Sequence, residues 1–138
     1  NMLEFLLIND VHKGNSGPGN IRIKTSGVNT NIDLPFVEKY SVNSGQLINS
    51  SFINTTAGEN IIDLYLKKDY NYSNTVGFYP IRDTLIEVTE WELENVISIS
   101  FNSCYNLVKV PDSLPSSITS TNSIDFENFE LLVIFAVN

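Results

Sequence analysis

The sequence predicts a mainly β protein, with a β-sandwich over residues 1–84 and a short repeat-built cap over residues 85–138. Three observations predict it. Short apolar stretches alternate with polar residues at period two, and turn residues recur about every ten positions. No segment keeps a helical period for more than about a turn, so strands must carry the core. Finally, Phe101-x-x-Cys104-x-x-Leu107-Val108 returns 25 residues later as Phe126-x-x-Phe129-x-x-Leu132-Val133. At that spacing each unit supplies one short strand and a turn, and buries its apolar side against its neighbours.

Composition bounds the function. The 138 residues suffice for one domain, or a small domain with an appendage, and 42% of them are hydrophobic. No apolar run reaches the roughly 18 residues of a membrane span, so no membrane insertion is expected. A net charge of −8 repels phosphate backbones, which excludes a nucleic-acid partner. The single cysteine excludes an intrachain disulfide. Met2-Leu-Glu-Phe-Leu-Leu-Ile8 lacks a basic leader region and a small-residue cleavage site, and does not read as a secretory signal.

Leu3–Ile8 reads as a first strand. Lys13–Asn20 concentrates glycine, proline and asparagine, and reads as a loop. Its Gly14-x-x-Gly17-x-Gly19 lacks the lysine-serine pair and the following helix of a phosphate cradle. Ile21–Thr25 and Asn31–Phe36 alternate around the turn Ser26-Gly27, which predicts a hairpin. Gln46–Asn54, Ile61–Leu66 and Val76–Ile81 read as further strands, with a turn at Thr56–Asn60. Leu85–Trp91 alternates, placing Leu85, Glu87, Thr89 and Trp91 on one side and Ile86, Val88 and Glu90 on the other. Trp91–Ile97 reads as a brief helix or wide turn leading into the repeat.

From about Leu85 the chain resembles the BspA-like leucine-rich-repeat family. The likeness rests on Trp91, the unit Phe101-Asn-Ser-Cys104-Tyr-Asn-Leu107, Val110-Pro111 and Leu114-Pro-Ser-Ser-Ile118. Such proteins often place a PKD-like or Ig-like sandwich before the repeats. Lys24–Gly27, Ile32–Pro35 and Thr56–Leu64 look like parts of such a module, with Val42-Asn-Ser-Gly45-Gln where PKD-like modules carry an acidic turn. The resemblance implies adhesion or structural display on bacterial surfaces or bacteriophage particles, not catalysis.

No catalytic, cofactor or metal site is expected. His12 is the only histidine and stands without the partners a triad or zinc site requires, so we read it as structural or solvated. Cys104 reads as a small buried hydrophobe. Glu87, Glu90, Glu92 and Glu94 lack a calcium-loop pattern and read as a solvated acidic face. Tyr65, Tyr70, Tyr72, Phe78 and Tyr79 divide between core and interface, with stacking on sugar rings as the functional alternative. The sequons at Asn49, Asn54 and Asn71 are read as a by-product of abundant Asn and Ser.

The expected repeat core is Phe101, Cys104, Leu107, Phe126, Phe129 and Leu132. The seven consecutive apolar residues Leu131–Val137 should be buried on both faces of a strand. Leu131, Val133, Phe135 and Val137, with Tyr70 and Tyr72, are the interface candidates of a homo-oligomer. The expected function is that of a non-enzymatic structural protein of a bacteriophage virion, contacting other virion proteins. The alternative is an adhesive or glycan-binding module of a bacterial cell-surface protein.

Overall fold

The computed structural model describes residues 19–68, 75–93, 96, 98–115, 118 and, in their backbone, 124–125. The protein is mainly β. In chain order the strands are β1 (Gly19–Ser26), β2 (Asn29–Asp33), β3 (Val37–Val42), β4 (Phe52–Thr55), β5 (Glu59–Leu66), β6 (Val76–Gly77), β7 (Leu85–Leu93), β8 (Ile99–Ser100) and β9 (Ile124–Asp125). The expected strand at Leu3–Ile8, the loop up to Pro18, and residues 126–138 lie outside the described residues.

The largest sheet has the order β3-β5-β1-β7 and is antiparallel throughout. Period-two patterning builds it. Ile21, Ile23 and Thr25 of β1 and Ile62, Leu64 and Leu66 of β5 face the core, while Arg22, Lys24 and Tyr65 stay partly solvated. Each fully buried aliphatic side chain contributes about 1.5–3 kcal/mol relative to exposure. At the start of β1, Gly19 has φ +117°, and a β-carbon there would lie 1.8 Å from the Glu92 carbonyl oxygen. Only glycine fits. Gly19 and Asn20 therefore belong to the strand rather than to the loop read from composition.

The expected hairpin does not form. Both edges of β1 are occupied, by β5 and β7, so β2 leaves the large sheet and pairs with β4 instead. A buried polar knot fixes this crossover. Asn29 donates through both its backbone N–H and Nδ2 to Thr55 Oγ1, each at 3.0 Å, and its Oδ1 accepts from Thr84 Oγ1 at 3.0 Å. The Thr55 hydroxyl in turn donates to the Gly27 carbonyl at 3.2 Å.

Strand β3 has no clean alternation in the sequence because a register shift between Val37 and Lys39 breaks it. It ends in a tight turn: Asn43 and Ser44 both have positive φ, and the Gly45 N–H donates to the Val42 carbonyl at 2.9 Å. The expected strand Gln46–Asn54 is regular only from Phe52, where β4 begins, and Ile48 makes an isolated bridge to Tyr40.

Strand β7 differs from the alternating reading. Register shifts against β1 between Arg22 and Ile23 and between Lys24 and Thr25 put Leu85 and Val88, three residues apart, both into the core. Trp91 to Leu93 continue the strand, where a brief helix or turn was expected. Between these irregularities β7 acquires a second partner. Val108 N–H donates to the Ile86 carbonyl and Val88 N–H to the Lys109 carbonyl, each at 2.9 Å, in a parallel bridge. One buried cluster runs from Ile21 and Ile53 through Phe78 to Phe101, Leu107 and Ile118.

A third sheet, β6-β8-β9, is parallel, with Val76 opposite Ile99 and Ile99 opposite Ile124. The pairing of β8 with β9 has the 25-residue register of the sequence repeat. Strand β6 adds a further segment in front of Ile99, within what the sequence reading assigned to the preceding sandwich.

Candidate binding surface

The spacing Phe-x-x-Cys-x-x-Leu has a local cause. The Cys104 N–H donates to the Phe101 carbonyl and the Leu107 N–H to the Cys104 carbonyl, each at 3.1 Å. Consecutive i to i+3 turns advance three residues per revolution, so every third side chain falls on one face. Phe101, Cys104 and Leu107 are all buried. The preceding segment repeats the arrangement: Ile81 N–H donates to the Phe78 carbonyl and Thr84 N–H to the Ile81 carbonyl, each at 3.1 Å. There Pro80 sits in the 3-10 turn Tyr79–Ile81 that replaces the end of the expected strand Val76–Ile81. Phe78-x-x-Ile81-x-x-Thr84 is thus an earlier copy of the same grid, hidden because threonine replaces the last apolar residue. Thr84 takes that place because it closes the polar knot with Asn29.

Inside, the two segments stack through their phenylalanines. Phe78 and Phe101 lie nearly parallel with centroids 5.3 Å apart, and Phe36 meets Phe78 edge-on at 5.5 Å. Cys104 Sγ lies 3.8 Å from the Phe78 carbonyl oxygen. Burial pushes its thiol up to about 12, against the opposing charge of Arg82. A thiol held protonated is no nucleophile. Phe126, Phe129 and Leu132 lie outside the described residues, as do Leu131, Val133, Phe135, Val137, Tyr70 and Tyr72.

Outside, the turns present Tyr79, Arg82, Asp83, Tyr105 and Asn106. The Arg82 guanidinium carbon sits 4.1 Å from the Tyr79 ring centroid, and Nη1 donates to the Tyr79 carbonyl at 3.0 Å. Asn106 Nδ2 donates to the Asp83 carbonyl at 2.9 Å and ties the two turns together. Of the aromatics singled out in sequence, Phe78 is fully buried and offers no stacking face, whereas Tyr79 is exposed. The half-buried Tyr65 has its hydroxyl pKa raised by burial and by neighbouring Asp63. Arg82 and Tyr105 were not singled out. The signal that finds them is the same grid shifted to Phe78, which makes Arg82 and Tyr105 equivalent positions of successive segments.

The acidic residues divide. Glu90 pairs with Arg22 at 2.9 Å, and Glu87 lies 3.9 Å from Lys24, while Glu92 is exposed on β7 and Glu94 lies outside the described residues. Arg22 also donates to Asp63 at 2.7 Å, and that hydrogen bond is the main reason its pKa is raised. Among the described residues no three His, Cys, Asp or Glu side chains are grouped to hold a metal ion, and no helix is long and apolar enough to cross a membrane. His12 lies outside the described residues; Asn49 and Asn54 are exposed. No family model, curated protein or solved structure matches the chain.

Proposed function

We propose that this chain is a non-enzymatic structural protein of a bacteriophage particle, a β-sandwich joined to a short leucine-rich-repeat-like stack, that works through contacts with neighbouring proteins. The observation that carries this reading is the parallel in-register placement of β6, β8 and β9. The segments at Phe78 and Phe101 bury equivalent residues inward and show equivalent residues outward, which suits a repeated contact surface. Among the described residues, Cys104, Arg22 and Lys24 support the same reading. Cys104 is buried as a protonated thiol, and Arg22 and Lys24 are engaged by carboxylates across the sheet.

The exposed Tyr79 and Tyr105 favour a second setting, an adhesive module of a bacterial surface protein. Mass spectrometry of purified particles and of cell envelopes from the source culture separates the two. Recovery of the chain with particles is the expected result; recovery only with envelopes would replace the virion reading by the surface one. Turnover of a substrate that is abolished by replacing a single exposed carboxylate or hydroxyl would end both.

A further inference from the structure

We infer that residues 47–49 are an open sheet edge that pairs with the same segment of a second copy of this chain. The two edges of the large sheet differ. On the β7 side the edge meets the stack, through Val108 and Lys109. On the β3 side a single bridge covers it: the Tyr40 N–H donates to the Ile48 carbonyl at 3.0 Å, and the Ile48 N–H to the Tyr40 carbonyl at 2.8 Å. Neighbouring residues of a paired strand send their backbone groups to opposite sides. With those of Ile48 engaged by Tyr40, the N–H and C=O groups of Leu47 and Asn49 point outward, and none of them is bonded among the described residues.

Sheet edges are commonly protected against such pairing by lysine or proline. This one is not: no charged residue and no proline lies between Lys39 and Glu59. Leu47 and Ile48 are instead 47% and 41% exposed. The segment is also ordered beforehand, because the Ser50 N–H donates to the Ile48 carbonyl and the Phe52 N–H to Ser50 Oγ, each at 3.0 Å. Backbone already held in place loses little further entropy on pairing. Charge selects the occupant. The chain carries a net charge of −8, so two copies repel wherever their acidic surfaces meet, and they approach at least cost through an uncharged stretch. A charged partner of either sign would find no countercharge here. A two-fold axis at Ile48 presents the same donors, acceptors and aliphatic side chains to one another in antiparallel order, so the edge is its own complement. The inference rests on this edge alone and holds whether the protein works on a particle or at a cell surface.

The test is sedimentation velocity on the full chain up to the millimolar range, at low and high salt, with hydrogen exchange at both ends of the concentration series. A monomer–dimer equilibrium is expected, and it should tighten as salt screens the net charge. The Leu47 and Asn49 amides should gain protection as the dimer fills. Leu47→Lys should weaken the dimer about tenfold or more and leave the monomer folded, since that side chain is half exposed. Leu47→Pro removes an N–H that the monomer does not use and should act the same way; if it perturbs the fold, Leu47→Lys still decides. The inference is overturned by a strict monomer throughout, by a dimer indifferent to Leu47→Lys, or by a dimer in which the Leu47 and Asn49 amides stay unprotected. Capture of a different protein by a chain that remains monomeric would assign the edge to that protein and overturn it as well.

Discussion

The large antiparallel sheet and the parallel stack hold the same chain by opposite means. Strands β1 and β5 pair over the whole stretch from Asn20–Tyr65 to Ser26–Glu59, whereas β6 and β8 pair only at Val76–Ile99 and Gly77–Ser100. The sheet is thus fixed by a long backbone ladder with its apolar residues on one face. The stack has almost no ladder, and its order rests on side chains: the Phe78–Phe101 pair, Ile81, Cys104 and Leu107. Where backbone bonds set the register, many side chains are interchangeable; where side chains set it, each one counts.

The largest expected effect breaks the stack. Phe101 is fully buried against Phe78, so Phe101→Ala should cost about 3–5 kcal/mol in a denaturant melt. Because one core spans both regions, sheet and stack should be lost in a single transition. A surviving sheet transition at the original midpoint would show that the regions fold separately.

In the sheet the comparable weak point is backbone rather than side chain. Gly19→Ala forces a β-carbon onto the Glu92 carbonyl at a φ of +117°, and should cost at least ~2 kcal/mol. Hydrogen exchange should locate the damage, with amides at the Gly19–Leu93 end of the β1–β7 ladder losing protection first. Unchanged stability would mean that β1 begins later than Gly19.

Cys104 sharpens the contrast from the stack side. Its thiol is raised from 9.0 to about 12 by burial, so the folded state holds the proton more tightly than the unfolded chain. That stabilisation is complete below pH 9 and is lost as the pH rises toward about 12. Stability should therefore fall more steeply over that window in the wild type than in Cys104→Ala. Parallel curves would place the thiol in contact with solvent.

What could be read from the sequence follows the same division. The 25-residue register of β8 on β9 was legible because side-chain positions recur when side chains set the packing. The earlier segment at Phe78 was not, since Thr84 breaks the apolar grid to serve Asn29. Strands β1 and β5 were legible from their alternation, but their partners were not. Antiparallel pairing between β1 and β7 joins residues far apart in the chain, and no local feature of Ser26-Gly27 reveals that β2 departs to another sheet. Alternation also failed in β7, where the register shifts that let it serve two partners move Val88 to the face of Leu85. The equivalence of Arg82 and Tyr105 was hidden for the same reason as the first segment.

A smaller effect, of opposite sign, is expected within the sheet. Thr25 is fully buried on β1, and its hydroxyl has no hydrogen-bond partner among the described residues. Thr25→Val keeps the branched shape and removes an unsatisfied polar atom, and should stabilise the protein by ~1 kcal/mol. Destabilisation by the same amount in a thermal melt would indicate that the hydroxyl is satisfied by a buried water.

The smallest expected effect lies on the outer face of the same sheet. Lys24 Nζ is 3.9 Å from both Glu59 and Glu87, and the side chains of Lys24 and Glu59 are 30% and 65% exposed. At that distance, and at a solvated face, the charges are held loosely. Arg22, by contrast, meets the nearly buried Asp63 carboxylate at 2.7 Å. Lys24→Ala should therefore cost less than ~0.5 kcal/mol, and that small loss should disappear in high salt. The comparison predicts this indifference, because the backbone ladder on either side of Lys24, to Ile61 and Glu87, survives the loss of the side chain. A salt-independent loss of several times that size would mean that the outer face of the sheet depends on individual side chains as the stack does, and the division between the two regions would fail.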